Sequence, residues 1–315
     1  MDVRAPRGPL YRNVAGFRLN RYVSPKLFYS ALQYKPRPDD VFLATYPKSG
    51  TTWLRNIGYL IFHDGVPPPN ALEYFKSTPF LDMFGAEDAV KMKRPGLIKT
   101  NLPYAIAPRS SHAKYVCVFR NPKDLCVSYF YHTKSFAAYD FAEGKFEDYF
   151  DLYLNGEVDY GDYFDHVLSW YTRGQDSNIL FMHYEDLKAD PRTEILKLAA
   201  FLGQKYHRTL VERPEVLDRV IRFSSMEYMK AKTNVAIRTF LSEPLSSEED
   251  VGPGLRHFHE TARKYPKKTG FIRNGIVGEW KEHFTPEMNA KMEAKIYDRL
   301  EGTDFIDVWK RYGIL

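Results

Sequence analysis

The residues best suited to chemistry lie together in Tyr46-Pro47-Lys48-Ser49-Gly50-Thr51-Thr52. Before them, Val41 to Thr45 is a short apolar run that reads as a strand buried on both faces. After them, Trp53, Leu54, Ile57, Leu60 and Ile61 recur at helical spacing, so a helix is expected from near Thr51 to about His63. Gly50 lets the backbone approach a ligand closely, and the first helical N–H groups have no partner within the helix. The helix dipole, Lys48 and the hydroxyls of Ser49, Thr51 and Thr52 all favour an anion there. The loop reads as a phosphate cradle. It is not the G-x-x-x-x-G-K-[ST] cradle of nucleoside triphosphatases, because the lysine precedes the loop's glycine. Strand, turn and helix with one lysine also occur where no phosphate binds, so spacing alone leaves that alternative open.

The rest of the chain supplies a frame for this loop. Gly96-Leu97-Ile98-Lys99, Lys114 to Phe119 and Ile179 to His183 read as further short strands. Helical patterns follow from Pro122, over roughly 145–155 and 160–174, from about Pro191 to Phe201 with Gly203 closing it, and over about 286–301. Alternating strands and helices imply an α/β fold with a central parallel sheet flanked by helices. Ligands of such sheets bind at the carboxyl ends of the strands. Those ends deliver Lys48, Lys99, Arg120 and Tyr184.

Other stretches carry weaker signals. Residues 1–40 are expected to wrap the surface, and Val66-Pro67-Pro68-Pro69 stops helical structure. Residues 70–95 show no clear periodicity and read as a loop with a small satellite core or as the wall of a pocket. Residues 242–268, acidic then basic and rich in turn formers, read as a mobile lid with marginal packing. With no internal repeat and no second boundary, residues 1–315 are expected to form a single domain.

Composition narrows the partners. A net charge of +5 is too mild for a nucleic-acid surface but suits a small anionic ligand. Aromatic residues make up 16%, compatible with an aromatic-lined pocket. Cys117 and Cys126 lie in an apolar run and a helical pattern, and read as buried free thiols. No apolar run has the length of a signal core or a bilayer span, so the expectation is a cytoplasmic protein without membrane contact. No metal-ligand spacing is present, and no metal is expected.

The string YPKSGTTW resembles the 5′-phosphosulfate-binding loop of the cytosolic sulfotransferases, and the likeness runs through ordered motifs from about Leu10 to Trp280. That resemblance implies transfer of a sulfuryl group from 3′-phosphoadenosine 5′-phosphosulfate (PAPS), leaving PAP, to a hydroxyl or amine of a small, largely apolar acceptor. It implies Lys48 as donor to the leaving oxygen, with Lys99 at the sulfuryl oxygens. The nucleotide would be held by Lys48, Ser49, Gly50, Thr51, Thr52 and Trp53 of the loop and helix, by Arg120 with Ser128 at the 3′-phosphate, by Tyr184 and Met226 around the base, and by Ser224 as a further nucleotide contact. Arg273-Asn274-Gly275 resembles the family's second 3′-phosphate signature, with Asn274 in place of a lysine. Pro47, Phe80, Met83, Asn101 and His132 would face the acceptor.

Two departures stand out. Asn101 occupies the position of the family's histidine base, and an amide cannot take a proton. His132, one helical turn beyond Ser128, could be a relocated base or a merely structural histidine. The family's dimerisation signature appears as Lys281-Glu282-His283-Phe284-Thr285-Pro286 with Ala290 at its glutamate position, so a monomer or weak homodimer is expected. Two functional readings follow: an active sulfotransferase, or an inactive relative that binds the nucleotide or a lipophilic ligand. A nucleotide kinase fits poorly, since no magnesium-binding carboxylate pair is evident.

Overall fold

The computed structural model describes residues 2–246 and 250–315. Its centre is a four-stranded parallel sheet: β4 (Val41–Thr45) lies between β5 (Ile98–Thr100) and β6 (Lys114–Phe119), and β7 (Ile179–His183) adds to β6. Every residue of β4 is buried. Val41 and Leu43 point to one face, with Val116, Val118 and Met182. There they meet Leu54, Ile57 and Ile61 of the helix Thr51–Phe62. Phe42 and Ala44 point to the other face, where Phe42 stacks on Tyr115 with ring centroids 5.0 Å apart. Each such large side chain contributes about 1.5–3 kcal/mol of burial free energy. Two dry faces hold the strands parallel.

Capping sets where the helices begin, and so where the strand ends stop. Asn121 accepts the Lys123 N–H at 2.8 Å, and Pro122 opens the helix Pro122–Ser135 just after β6. Asp162 caps the helix Tyr163–Tyr171, accepting from Phe164 and Asp165. Thr285, in the segment resembling a dimer signature, caps the helix Pro286–Leu300 through Met288 N–H. Both cysteines are buried and free. Among the described residues no helix is long and apolar enough to cross a membrane.

Four readings are corrected. Residues 1–40 do not merely wrap the surface. β1 (Asp2–Arg4), β2 (Leu10–Val14) and β3 (Phe17–Leu19) form an antiparallel sheet, followed by the helix Pro25–Leu32. Tyr11, Leu19, Tyr22, Val23 and Phe28 from this segment are core residues. The strands are too short and polar to show a period. Residues 70–95 form the helices Ala71–Ser77 and Leu81–Lys91. Gly85, at φ 77°, breaks the second and erases its pattern. The second strand of the sheet begins at Ile98, not Gly96.

Within 242–268, residues 247–249 lie outside the described residues. The helix Pro253–Lys264 within it is not marginally packed, since it buries Leu255, Phe258, His259 and Ala262, whereas most of 242–246 and half of 265–268 are exposed. Asp88 accepts from the first-turn N–H groups of Gly254 at 2.9 Å and Leu255 at 3.1 Å, serving as a remote cap. Asp88→Ala is expected to cost about 1–2 kcal/mol in urea unfolding and to raise hydrogen exchange over 253–264 more than over 51–62. Unchanged protection in 253–264 would show that packing alone holds this helix.

Candidate active site

The loop after β4 is a strained turn. Lys48 sits at φ 72° and Gly50 at φ 106°, the left-handed region that only glycine enters freely. A Cβ on Gly50 would come 2.8 Å from Tyr184 Cδ2, so the loop must lie flat against that ring. The N-cap residue of the helix Thr51–Phe62, Gly50, has no side chain to cap it, and the Trp53 N–H already donates to the Gly50 carbonyl, which leaves the amides of Thr51 and Thr52 for a ligand. Thr51 hydrogen-bonds Thr45 through their hydroxyls at 2.6 Å, pinning the loop to the strand.

Cations converge on this turn. Arg120, at the end of β6, donates to the Lys48 carbonyl at 3.2 Å and lies 4.3 Å over the Tyr184 ring. Burial, with Arg120 and Arg273 next to it, drops the Lys48 ammonium to about 7. Lys99 Nζ lies 3.3 Å from the Phe80 ring centroid. Burial holds it well below the ordinary lysine range, Arg55 and Lys48 add to this, and Asp82 opposes them. Across the cavity, Glu279 holds both Arg273 and Asn274, while Arg273 covers the Tyr131 ring at 4.4 Å. Asp124 accepts from Gly278 N–H at 2.7 Å and Trp280 N–H at 2.9 Å, anchoring that loop to the helix Pro122–Ser135.

Several buried polar atoms of the lining residues have no partner among the described residues: Trp53 Nε1, Arg120 Nε and Arg273 Nε. A buried unpaired donor costs about 1–3 kcal/mol, so this set fits a ligand rich in acceptors. Trp53 meets Tyr184 edge-on at 5.4 Å, and Met226 Sδ lies 2.8 Å from a Cβ placed on Gly275 (φ 67°). Aromatic faces and phosphate donors therefore share one wall. A nucleotide with phosphate at two positions matches it.

The same cavity, about 200 Å³, continues into an aromatic side. Asn101 is 3% exposed; its N–H donates to Asp82 at 2.8 Å while its Oδ1 has no partner. His132 Nδ1 is 3.4 Å from Lys48 Nζ, and its ring is 4.6 Å from Phe136. Burial holds the imidazole well below its ordinary value, with Lys48, Lys267 and Lys99 adding to the shift.

Of the residues singled out from sequence, Pro47, Lys48, Gly50, Thr51, Thr52, Trp53, Phe80, Met83, Lys99, Asn101, Arg120, Ser128, His132, Tyr184, Met226 and Arg273 to Gly275 all line this cavity. Ser49 and Ser224 stand behind the wall: Ser49 is fully buried, and the Ser224 hydroxyl donates to Ile221 O at 3.3 Å. Phe84, from the 70–95 stretch with its pocket-wall reading, also lines the cavity; Tyr22, Tyr139, Asp159, Phe258 and Lys267 line it too and were not anticipated. Lys267 was visible only as part of a basic run, and the others carry no local signal.

Comparison with known proteins identifies the family and the fold. Residues 38–304 match the model of the sulfotransferase domain. Sulfotransferase 1E1 of the guinea pig (Cavia porcellus) is 34% identical over 280 residues, covering 86% of each chain. Sulfotransferase 1B1 of the dog (Canis lupus familiaris) is 34% identical over 282 residues, again 86% of each. The crystal structure of a mouse sulfotransferase, SULT7A1, complexed with PAP superposes with a TM-score of 0.70 at 26% identity, covering 96% of this chain and 99% of that one. The chain belongs to the sulfotransferase family.

The site's electrostatics give a prediction. Because the folded-state pKa of Lys48 lies near 7, below the ordinary lysine value, the unfolded chain binds more protons between these values. Lys267, at about 6 through burial and Lys48, acts alike. Stability of the ligand-free protein should therefore rise from about pH 7 toward the ordinary lysine value of about 10.4. The melting temperature of Lys48→Met should rise less over that range. Parallel curves for the two proteins would show that Lys48 is not desolvated.

Proposed function

We propose that this chain is an active PAPS-dependent sulfotransferase acting on a hydroxyl or amine of a small, largely apolar acceptor. The observation that carries the reading is the meeting of an anion cradle and a cluster of desolvated cations with an aromatic chamber in one cavity. When bound, PAPS supplies the sulfuryl group and leaves as PAP.

The residues divide the work. Gly50, Thr51 and Thr52 present backbone amides to the 5′ side, and Trp53, Tyr184 and Met226 face the adenine. Arg120, Ser128, Arg273 and Asn274 hold the 3′-phosphate, with Glu279 fixing the last two. Lys48 meets the charge that develops on the leaving oxygen, and Lys99 meets the transferred group; both act from a dry site where a charge counts for more than in water. Asn101 orients the acceptor hydroxyl through its unpaired Oδ1.

His132 is the base in this reading. In the ligand-free arrangement Lys48 is 3.4 Å from His132 Nδ1 and can donate to it, occupying the lone pair a base needs. An anion in the cradle draws Lys48 toward itself and frees that nitrogen to take the acceptor's proton. The lowered imidazole pKa keeps the ring neutral, so the base form persists into mildly acidic solution. Thermal shift with PAP, PAPS and ATP–magnesium, then transfer of labelled sulfate to a mixed acceptor set, tests the overall reading. Stabilisation by PAP without turnover on any acceptor would support a binding protein instead.

The base assignment has its own test. His132→Gln should cut transfer to an aliphatic alcohol by about 10²-fold or more and remove the acid-side limb of the pH profile. Asn101→His in that background should restore transfer. Full activity of His132→Gln on an aliphatic alcohol would refute a catalytic His132.

A further inference from the structure

An anionic donor accounts for the cations of this cavity, but it leaves one lining residue unexplained. Asp159 is 2% exposed and lines the cavity together with Asn20, Tyr139 and Tyr160. Its Oδ2 accepts from Asn20 Nδ2 at 3.1 Å and from the Tyr139 hydroxyl. Its Oδ1 has no partner among the described residues. Among the described residues none of these partners is a cation. A carboxylate buried without a counter-ion is costly, and such groups are paired with a cation or lose their charge. Burial accordingly pushes this carboxyl up to about 7, against the pull of its Tyr139 and Asn20 donors. The turn that carries it is itself strained, with Tyr160 at φ 64°, which tertiary packing must impose.

The carboxylate is placed to read one end of a ligand whose other end is at the transfer site. Tyr139 links the two: its ring centroid is 6.3 Å from that of His132, and its hydroxyl bonds Asp159. The Tyr129 ring likewise lies 6.1 Å from His132, and its hydroxyl donates to the Asp159 carbonyl at 3.1 Å. A tyrosine side chain therefore measures the span from the base to the acid. Aromatic rings of Tyr22, Phe84, Phe136 and Phe258 line the same cavity.

We infer that Asp159 is a recognition site for a protonated amine on the acceptor, so that the preferred acceptors are arylalkylamines carrying the reacting hydroxyl at one end and an ammonium at the other. This inference rests on the sulfotransferase reading and narrows its acceptor class. The ammonium supplies the counter-ion that Asp159 lacks and donates to Oδ1, while the ring fills the aromatic chamber. Asp159 contributes to binding and orientation; it takes no part in sulfuryl transfer.

The test compares tyramine with its uncharged isostere 4-propylphenol, titrated calorimetrically into the PAP-saturated wild-type protein and assayed as sulfate acceptors. Tyramine should bind at least about tenfold more tightly, the value of one charge-assisted hydrogen bond. In Asp159→Asn that preference should vanish, with the loss in turnover falling on the KM for tyramine and not on kcat. Affinity for 4-propylphenol should stay within about threefold, since its contacts are apolar. Equal affinities in the wild type, or a tyramine preference retained in Asp159→Asn, would overturn the inference. The wild-type comparison decides the matter even if the variant does not fold. Failure of the enzyme reading looks different: PAP would not stabilise the protein and no acceptor would be sulfated, while titration without nucleotide would still report the ammonium preference.

Discussion

Repulsion among desolvated cations is the constraint on which this structure turns. Lys48 and Lys99 approach one another and three arginines, Arg120 and Arg273 beside Lys48 and Arg55 beside Lys99, in a site where burial has already lowered both ammonium groups. In water such charges would be screened; in a dry cavity their mutual energy is several-fold larger. Aromatic faces soften it, with Lys99 over Phe80 and Arg120 over Tyr184. The remaining cost is relieved when an anion enters. Affinity and catalytic polarity thus come from the same unfavourable term in the ligand-free state.

Holding cations in such a place requires anchors that do not neutralise them. Acidic groups do this by gripping backbone, and several sit one step behind the cavity wall. Asp82 accepts from Asn101 N–H and the Thr100 hydroxyl, fixing the end of β5. Asp124 accepts from Gly278 and Trp280 N–H, and Glu185 from Asn121 N–H at 2.9 Å. The parallel ladder then positions Lys48, Lys99, Arg120 and Tyr184 from four adjacent strand ends. Glu279 is the exception, since it pairs directly with Arg273 and sets the direction of the guanidinium.

Much of this was legible from the amino-acid order because it is local. Lys114–Phe119 and Ile179–His183 are continuous apolar runs, and both strands have the boundaries the runs suggest. The loop around Lys48 announces itself through a change of period from strand to helix. What was not legible depends on contacts between distant segments. Tyr22 reaches the cavity because a small antiparallel sheet folds residues 2–19 back on the core, and Phe258 because Asp88 caps its helix from 166 residues away. Asp159 lies in an ordinary-looking turn, and only its lack of a counter-ion marks it. Ser224 resembled a nucleotide contact by position, yet its hydroxyl is turned toward Ile221 O.

If the lysines are held short of full charge until an anion arrives, binding must take up protons. Calorimetry of PAP binding near pH 8, repeated in buffers of different ionisation enthalpy, measures this directly. At that pH Lys48, near 7, and Lys267, near 6, are largely neutral in the free protein, whereas the phosphates of PAP are already fully ionised. The account predicts uptake on the order of one proton per PAP bound, reduced in Lys48→Met. Binding with no proton uptake would contradict it, because the cradle would then hold ordinary, fully charged lysines.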